Sequence, residues 1–203
     1  MTLLLKLAAF GSVLVAVLSA YPGVLADVAF VAILFFPIWI PALGLALLLY
    51  ARSAGKLTGP GPPADDEIGG RTRPSPRLLR NVVPVAIVVV CLVSVRYGAP
   101  MRVAFRHARP SFERHIATAP SRPYGTEPLG RMLGVYHVDR YAADPRGGVY
   151  FRTHSGPAGI GPDTMSHGFT YKPNPEGTPF GRAGYHCSRI DGDWYVFSAS
   201  NDY

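Results

Sequence analysis

Apolar residues in the first half of the chain form long unbroken runs, whereas those in the second half alternate with polar residues. Between Leu7 and Tyr50 the only charged residue is Asp27. A water-soluble core would spread its apolar residues with a period of 2 or 3.6 and place charges between them. Runs of about 20 apolar residues are instead what a bilayer requires. The pattern predicts a membrane-embedded α-helical half, followed by a water-facing domain.

The first two predicted membrane spans form a tight helical hairpin. They cover about 7–25 and about 28–50, and in each case about 20 residues of helix extend roughly 30 Å, the thickness of the hydrocarbon core. Tyr21-Pro22-Gly23 and Asp27 mark the turn between the spans. An alternative interpretation makes 1–26 a cleaved signal peptide, with Val24-Leu25-Ala26 as the cleavage site. The weak N-terminal charge and the immediately following span favour a retained helix.

A third predicted span covers 81–97 and is shorter. Its apolar stretch, Val82–Val95, reaches full length only if Arg80, Asn81 and Arg96 extend their side chains toward the interface. Its many valines are also compatible with a buried strand. An isolated strand, however, cannot cross lipid with its backbone unpaired, so we predict a helix.

Pro37 and Pro41 lie four residues apart in the second span, on either side of Trp39. They are compatible with a hinge, an unwound ligand site or a helix–helix contact. Prolines are common in membrane helices, and no charged residue lies at that depth. We therefore expect these prolines to have no special role, and expect no ion or proton transport by this chain alone.

The net charge of +7 changes this picture little. The basic residues lie mainly beside the hydrophobic runs, which indicates lipid headgroups and orientation signals rather than nucleic acid. Arginine greatly outnumbers lysine, a bias typical of GC-rich bacterial genomes. The two cysteines, Cys91 and Cys187, lie in different halves of the chain, so we expect no disulfide.

The segment 51–80 is rich in glycine, proline and arginine, and we predict a flexible cytoplasmic loop. By the positive-inside rule the N-terminus lies on the same side, which places the C-terminal domain outside the cytoplasm. The arginines that follow the third span oppose this orientation: Arg96, Arg102, Arg106, Arg109 and Arg114.

Residues 98–203 predict an α+β domain with one antiparallel sheet of about five strands and a helix near its start. The helix covers 102–118, with Pro110 in a first turn, and a Pro/Gly-rich connector follows at 119–130. We predict strands over Met132–Arg140, Val149–Thr153, Gly168–Lys172, Gly184–Arg189 and Trp194–Ala199. Turns are predicted at 144–148 and at Asp191-Gly192, and loops at 155–162 and 173–181. The predicted core comprises Val135, Val138, Val149, Phe151, Phe169, Tyr171, Tyr185, Tyr195, Val196 and Phe197.

No motif in this domain defines a reaction. The six histidines match no metal-ligand spacing, and we expect most of them to be scattered surface residues. The weak candidates for a metal or catalytic site are His154, His167, His186 and Asp163. His186 and Cys187 are neighbours on a predicted strand and therefore face opposite sides, so Cys187 is expected to be a small core residue. Asp191 and Asp193 belong to a turn. We expect no cofactor.

These observations favour a non-enzymatic integral membrane protein, with its domain held at the membrane for binding or assembly with a partner. The expected partners are the bilayer, anionic lipid headgroups and another membrane protein, and the arginines that would contact the headgroups are Arg102, Arg106, Arg109 and Arg114. Two alternatives remain. One is a membrane-tethered hydrolase or metal-dependent enzyme that uses the histidines and Asp163. The other is an accessory subunit of a transporter or envelope complex.

Overall fold

The computed structural model describes residues 2–34, 76–118, 125–157 and 163–201. Four helices lie in this part of the chain: α1 Thr2–Leu18, α2 Val24–Leu34, α3 Pro76–Arg96 and α4 Ala99–Thr118. Six strands follow: β1 Thr126–Leu133, β2 Tyr136–Ala143, β3 Val149–Pro157, β4 Thr164–Tyr171, β5 Ala183–Asp191 and β6 Trp194–Ser200. The α+β prediction for the second half of the chain is thereby confirmed.

The turn between the first two helices lies at the predicted position. The first helix, however, ends and the second begins at other residues than predicted. Helix α1 ends at Leu18 rather than at about Leu25, and α2 begins at Val24 rather than Val28. Gly23 adopts a positive φ of 84°, a conformation that glycine tolerates without a β-carbon clash. The turn therefore takes up residues that hydropathy alone assigned to the helices.

Helix α3 covers the predicted third span and begins earlier, at Pro76, so the last residues of the predicted loop are helical. Helix α3 packs along α1. Gly98, with a φ of 64°, separates α3 from α4. In the described ranges no single helix meets the length and hydropathy expected for crossing a bilayer, whereas Val82–Arg96 and Ala99–Thr118, bent by 64°, meet them together. The rest of the predicted second span, with Pro37, Trp39 and Pro41, and positions 51–75 lie outside the described residues.

The sheet is antiparallel throughout, with the strand order β1-β2-β3-β4-β6-β5. It has six strands rather than five because the predicted strand Met132–Arg140 is a hairpin that turns at Gly134 and Val135. Strand β1 lies at one edge, and a register shift between Pro128 and Arg131 accommodates its proline and glycine. The predicted connector at 119–130 therefore ends earlier, at β1.

Helix α4 covers one face of the sheet with Phe105, Ala108 and Phe112, all fully buried. These side chains form one core cluster with seven buried sheet residues: Leu133, Tyr136, Val138, Tyr141, Phe151, Phe169 and Trp194. Pro110 lies inside the helix rather than in its first turn. A smaller cluster on the opposite face joins Ala142, Tyr150, Phe180 and Phe197 beneath the loop at 173–181, with Cys187 packed against it as predicted. Val135, expected in the core, is 45% exposed because it lies in the β1–β2 turn.

Candidate functional site

Asp27, His154 and His167 form a cluster where the α1–α2 turn meets the sheet; we call it the Asp–His joint. Asp27 lies in the first turn of α2, His154 in β3 and His167 in β4. The two histidines are direct partners across the strands, with ring centroids 6.2 Å apart and nearly parallel planes. The Asp–His joint therefore links the helical half to the α+β domain.

A bulge in the sheet places His154 on the face that carries the joint. Phe151 pairs with Phe169 on the face that packs against α4, and side chains alternate along a regular strand. A register shift between Arg152 and His154 adds one residue to β3 at this point. His154, rather than Thr153, thereby comes to lie opposite His167 on the side of Phe151.

Two glycines allow the joint to close. A β-carbon at Gly23 would overlap the rings of both His167 and His154. A β-carbon at Gly156, in β3, would overlap the carboxylate of Asp27. The turn and the strand therefore approach each other more closely than any larger residue at these two positions permits.

The Asp27 carboxylate and the His154 ring are hydrogen-bonded, with 2.5 Å between Oδ2 and Nε2. An ionised carboxylate only accepts, so the hydrogen lies on Nε2 of His154. Both side chains are 28% exposed. The position of Asp27 in the first turn of α2 also suits its charge, because the N-terminal end of a helix favours anions.

His167 is a half-buried member of the joint. Burial, followed by the neighbouring His154, lowers the pKa of His167, while Asp27 opposes this with a smaller upward effect. On its other side, His167 pairs with Ser198 of β6. His167 is therefore held in its neutral form to a lower pH than a free histidine.

A second contact between the two halves lies next to the joint. The Tyr136 hydroxyl donates to the carbonyl oxygen of Ala20 at 3.0 Å, and the rings of Tyr21 and Tyr136 meet edge to face. A cavity of about 280 Å³ opens between the α1–α2 turn and the sheet. It is lined mainly by apolar side chains, with His137 and His154 among its polar ones.

The structure brings together only two of the four predicted site residues. His154 and His167 are partners, whereas His186 is exposed on the edge strand β5, where it pairs with Ser198. Asp163 precedes β4. Among the described residues, no group of three histidine, cysteine, aspartate or glutamate side chains has the geometry to hold a metal ion.

Three of the six histidines are buried or half-buried rather than exposed. Besides His154 and His167, His115 of α4 is buried, and its Nδ1 lies 3.0 Å from the Arg131 guanidinium. Burial, and then the charge of Arg131, lowers the pKa of His115. Only His107, His137 and His186 are exposed.

Sequence analysis missed Asp27 as a site residue and assigned it to the turn. One signal was available: a single carboxylate in a stretch of 44 otherwise uncharged residues, Leu7–Tyr50, requires a partner or access to water. Which partner it has could not be inferred, because the pairing with His154 joins positions 127 residues apart.

The arginines expected to contact lipid headgroups divide into two pairs. Arg109 binds Glu113 and Asp191, and Arg114 donates to Pro110 O and Ser111 Oγ. Arg102 and Arg106 are exposed, and their side chains make no hydrogen bond or ion pair to any described residue. Only Arg102 and Arg106 can therefore bind an external anion without breaking a contact within the domain.

Comparison of the chain with protein-family models, with curated proteins and with solved structures finds no match in any of the three.

Proposed function

We propose that this chain is a multi-pass integral membrane protein that holds its α+β domain at the membrane surface for binding or assembly with a partner, without catalysis. The observation that carries the proposal is the apolar surface of α1 and α3. The two helices pack side by side, yet large side chains remain in the open: Phe10 is 70% exposed, Val90 62% and Leu92 58%. Water-soluble monomers rarely expose apolar patches of this extent.

The ends of the helices support a membrane arrangement. The C-terminal end of α1 leads into the turn that contacts Tyr136, and the C-terminal end of α3 leads into α4, which packs on the sheet. The two helices therefore run in the same direction, with the domain at one end of the pair. The 21 residues of α3 correspond to about 31 Å of helix, comparable to the hydrocarbon core.

This arrangement agrees with the orientation inferred from charge. In the proposed arrangement the chain crosses the membrane at α1, returns through the predicted second span and crosses again at α3. The N-terminus and the segment 51–80, which has six Lys and Arg residues, then lie on one side. The α1–α2 turn and the α+β domain then lie on the other side. With the basic segment in the cytoplasm, the domain is extracytoplasmic.

The test is cysteine labelling in intact cells, in a background with Cys91 and Cys187 replaced by alanine. A probe cysteine at Ser188, exposed on β5, is compared with one at Ser53 in the Pro/Gly-rich segment. We expect a membrane-impermeant maleimide to label the first probe but not the second, and alkaline carbonate to leave the protein in the membrane fraction. Recovery of the chain as a detergent-free monomer would contradict the proposal.

Binding or assembly is tested separately by mild detergent extraction and affinity capture. We expect the chain to be recovered with a stoichiometric membrane-protein partner or as an oligomer. Recovery of the monomer alone would leave the anchoring proposal standing but contradict the assembly proposal.

A hydrolase function has weaker support. The Asp–His joint has a paired carboxylate and histidine, but Nε2 of His154 is occupied by Asp27. His186 and Asp163, which the catalytic hypothesis also used, are not part of the joint. We therefore keep the non-enzymatic proposal.

A further inference from the structure

We propose that the Asp–His joint is a proton-binding site that controls docking of the α1–α2 turn onto the sheet. At neutral pH the turn is docked, and acidification releases it. The inference rests on the contacts at the joint and does not depend on whether α1 and α3 lie in a bilayer.

The only described ion pair between the helical half, residues 2–34, and the sheet is that between Asp27 and His154. The glycines at 23 and 156 leave no space for a bridging side chain at either contact. A change in the charge of the joint therefore acts directly on the interface between the two halves.

Several titratable groups surround the single carboxylate of the joint. The titratable groups that face the joint are Tyr21 from the turn, Asp27 from α2, His137 from β2, His154 from β3 and His167 from β4. Strand β6 contributes the uncharged Ser198. One carboxylate can balance one protonated histidine, so a second proton on His167 places an uncompensated positive charge in a half-buried site.

The direction of the pH effect follows from His167. Gly23 of the turn lies against the His167 ring, so docking contributes to the burial that lowers the pKa of His167 below its ordinary value of 6.5. The undocked state, in which the ring is more open to water, therefore binds a proton more readily than the docked state. Docking is therefore fully stable above about pH 6.5 and is progressively lost as the pH falls below that value. Release frees the turn from β3 and also exposes the Tyr136 hydroxyl that is bound to Ala20.

The experiment measures hydrogen–deuterium exchange of the full-length protein in detergent micelles at pH 7.5 and pH 5.5. Rates are divided by those of an unstructured peptide at the same pH, which gives protection factors free of the intrinsic pH dependence. We expect the segment 19–27 to lose protection severalfold at pH 5.5, while the core strand β4 keeps its protection. Equal protection of 19–27 at both pH values would overturn the proposal.

Variants assign the effect to the joint. In His167→Gln, whose side chain stays neutral, we expect the protection of 19–27 to become independent of pH. Asp27→Asn and Gly156→Ala should lower the protection at both pH values, because each removes the carboxylate from His154. His186→Gln, at an exposed histidine outside the joint, is the matched control and should behave as the wild type.

A wild-type pH dependence in His167→Gln would also overturn the proposal. If that variant loses its β-sheet circular dichroism, His154→Gln replaces it. This substitution removes the neighbouring histidine that helps to lower the pKa of His167, so we expect a smaller difference between the two pH values. An unchanged difference in a folded His154→Gln protein would count against the joint.

Discussion

At the scale of single residues, glycines rather than large side chains set the tightest constraints on the molecule. Gly168 of β4 is opposite Arg152, at the bulge in β3, and a β-carbon there would overlap the carbonyl of Phe151. Backbone atoms cannot move aside as the end of a flexible side chain can. The two strands therefore approach most closely where the bulge turns His154 toward the joint.

Gly168→Ala should accordingly separate β3 from β4 and destabilise the domain by roughly 3 kcal/mol, the upper part of the range for overpacked sites. Thermal unfolding in detergent, followed by the near-ultraviolet signal of buried Trp194, measures the loss. Gly11→Ala is the control, because Gly11 lies inside α1 with no atom within 4 Å of an added β-carbon. It should stabilise the helix by about 0.5–1 kcal/mol. Equal effects of the two substitutions would contradict this account.

The burial of His115 predicts that the domain loses stability at acid pH. Since burial and Arg131 lower its pKa, the unfolded chain binds a proton more readily, and stability falls as the pH drops below about 6.5. His115→Phe keeps an aromatic ring against Tyr141 and Phe151 but cannot titrate. At pH 7.5 it should cost about 1 kcal/mol through the lost hydrogen bond with Arg131.

Between pH 7.5 and pH 5, the stability of His115→Phe should then fall less than that of the wild type. The measurement is the urea midpoint at each pH. Part of the acid sensitivity remains in this variant because His167 contributes in the same direction. A double variant with His167→Gln should be flatter than either single variant. A slope identical to that of the wild type in His115→Phe would show that His115 does not titrate on unfolding.

At the scale of elements, Tyr136 connects the α1–α2 turn to the sheet. Its hydroxyl donates to Ala20 O, and burial raises its pKa well above the ordinary value, so the phenol remains protonated at physiological pH. Tyr136→Phe removes this one bond and keeps the ring. We expect a loss of about 1 kcal/mol, unchanged between pH 6 and pH 8.

The same unfolding assay tests Tyr136→Phe, and amide exchange at 19–21 locates its effect. Tyr195→Phe is a suitable control because Tyr195 lies on β6, where it pairs with Thr170 and Arg189, and it lines a cleft away from the α1–α2 turn. If Tyr136→Phe were as stable as the wild type, water would have to replace the hydroxyl as the partner of Ala20.

The elements were largely predictable from local pattern, and their pairing was not. Alternating aromatic and polar residues identified β3, β4, β5 and β6, and Asp191-Gly192 identified the last hairpin. The β1–β2 hairpin was missed because Gly134-Val135 interrupts a β-rich run without a strong turn signal. The pairing of β4 with β6 joins strands that are not consecutive in sequence, and no periodicity encodes it.

The candidate site was predictable only in part, for the same reason. His154 and His167 were singled out as residues that could meet in space, but the bulge that aligns them is a property of the paired strands. Asp27 belongs to a different half of the chain, and its role depends on how the turn docks. Tyr136 and Trp194, both fully buried, were also absent from the predicted core, since aromatic residues beside turns are often half-exposed.

At the scale of the whole molecule, the bend between α3 and α4 determines what the domain presents to its surroundings. Arg96 ends α3, and Arg102 and Arg106 follow in α4, all three exposed; Tyr97 is 70% exposed beside them. If α3 crosses a bilayer, this bend lies at the headgroup level, where tyrosine and arginine are favoured. We propose that Arg102 and Arg106 bind anionic phospholipid there, since no described residue neutralises them.

Arg102→Gln combined with Arg106→Gln should therefore lower the amount of phosphatidylglycerol that co-purifies with the protein by severalfold, while phosphatidylcholine is unaffected. Lipid extraction and mass spectrometry after purification from mixed-lipid nanodiscs provide the measurement. Arg182→Gln is the control. Arg182 is also exposed, but it follows the loop 173–181 on the face of the sheet opposite α4. Added salt should reduce the preference of the wild type for phosphatidylglycerol. The contacts between the exposed arginines and the lipid phosphates are screened within about 10 Å at 0.1 M ionic strength. Equal phosphatidylglycerol in the double variant and the wild type would place the bend away from the headgroups.

Because Arg109 and Arg114 are already bound within the domain, their replacement should lower the stability of α4 instead of the lipid content.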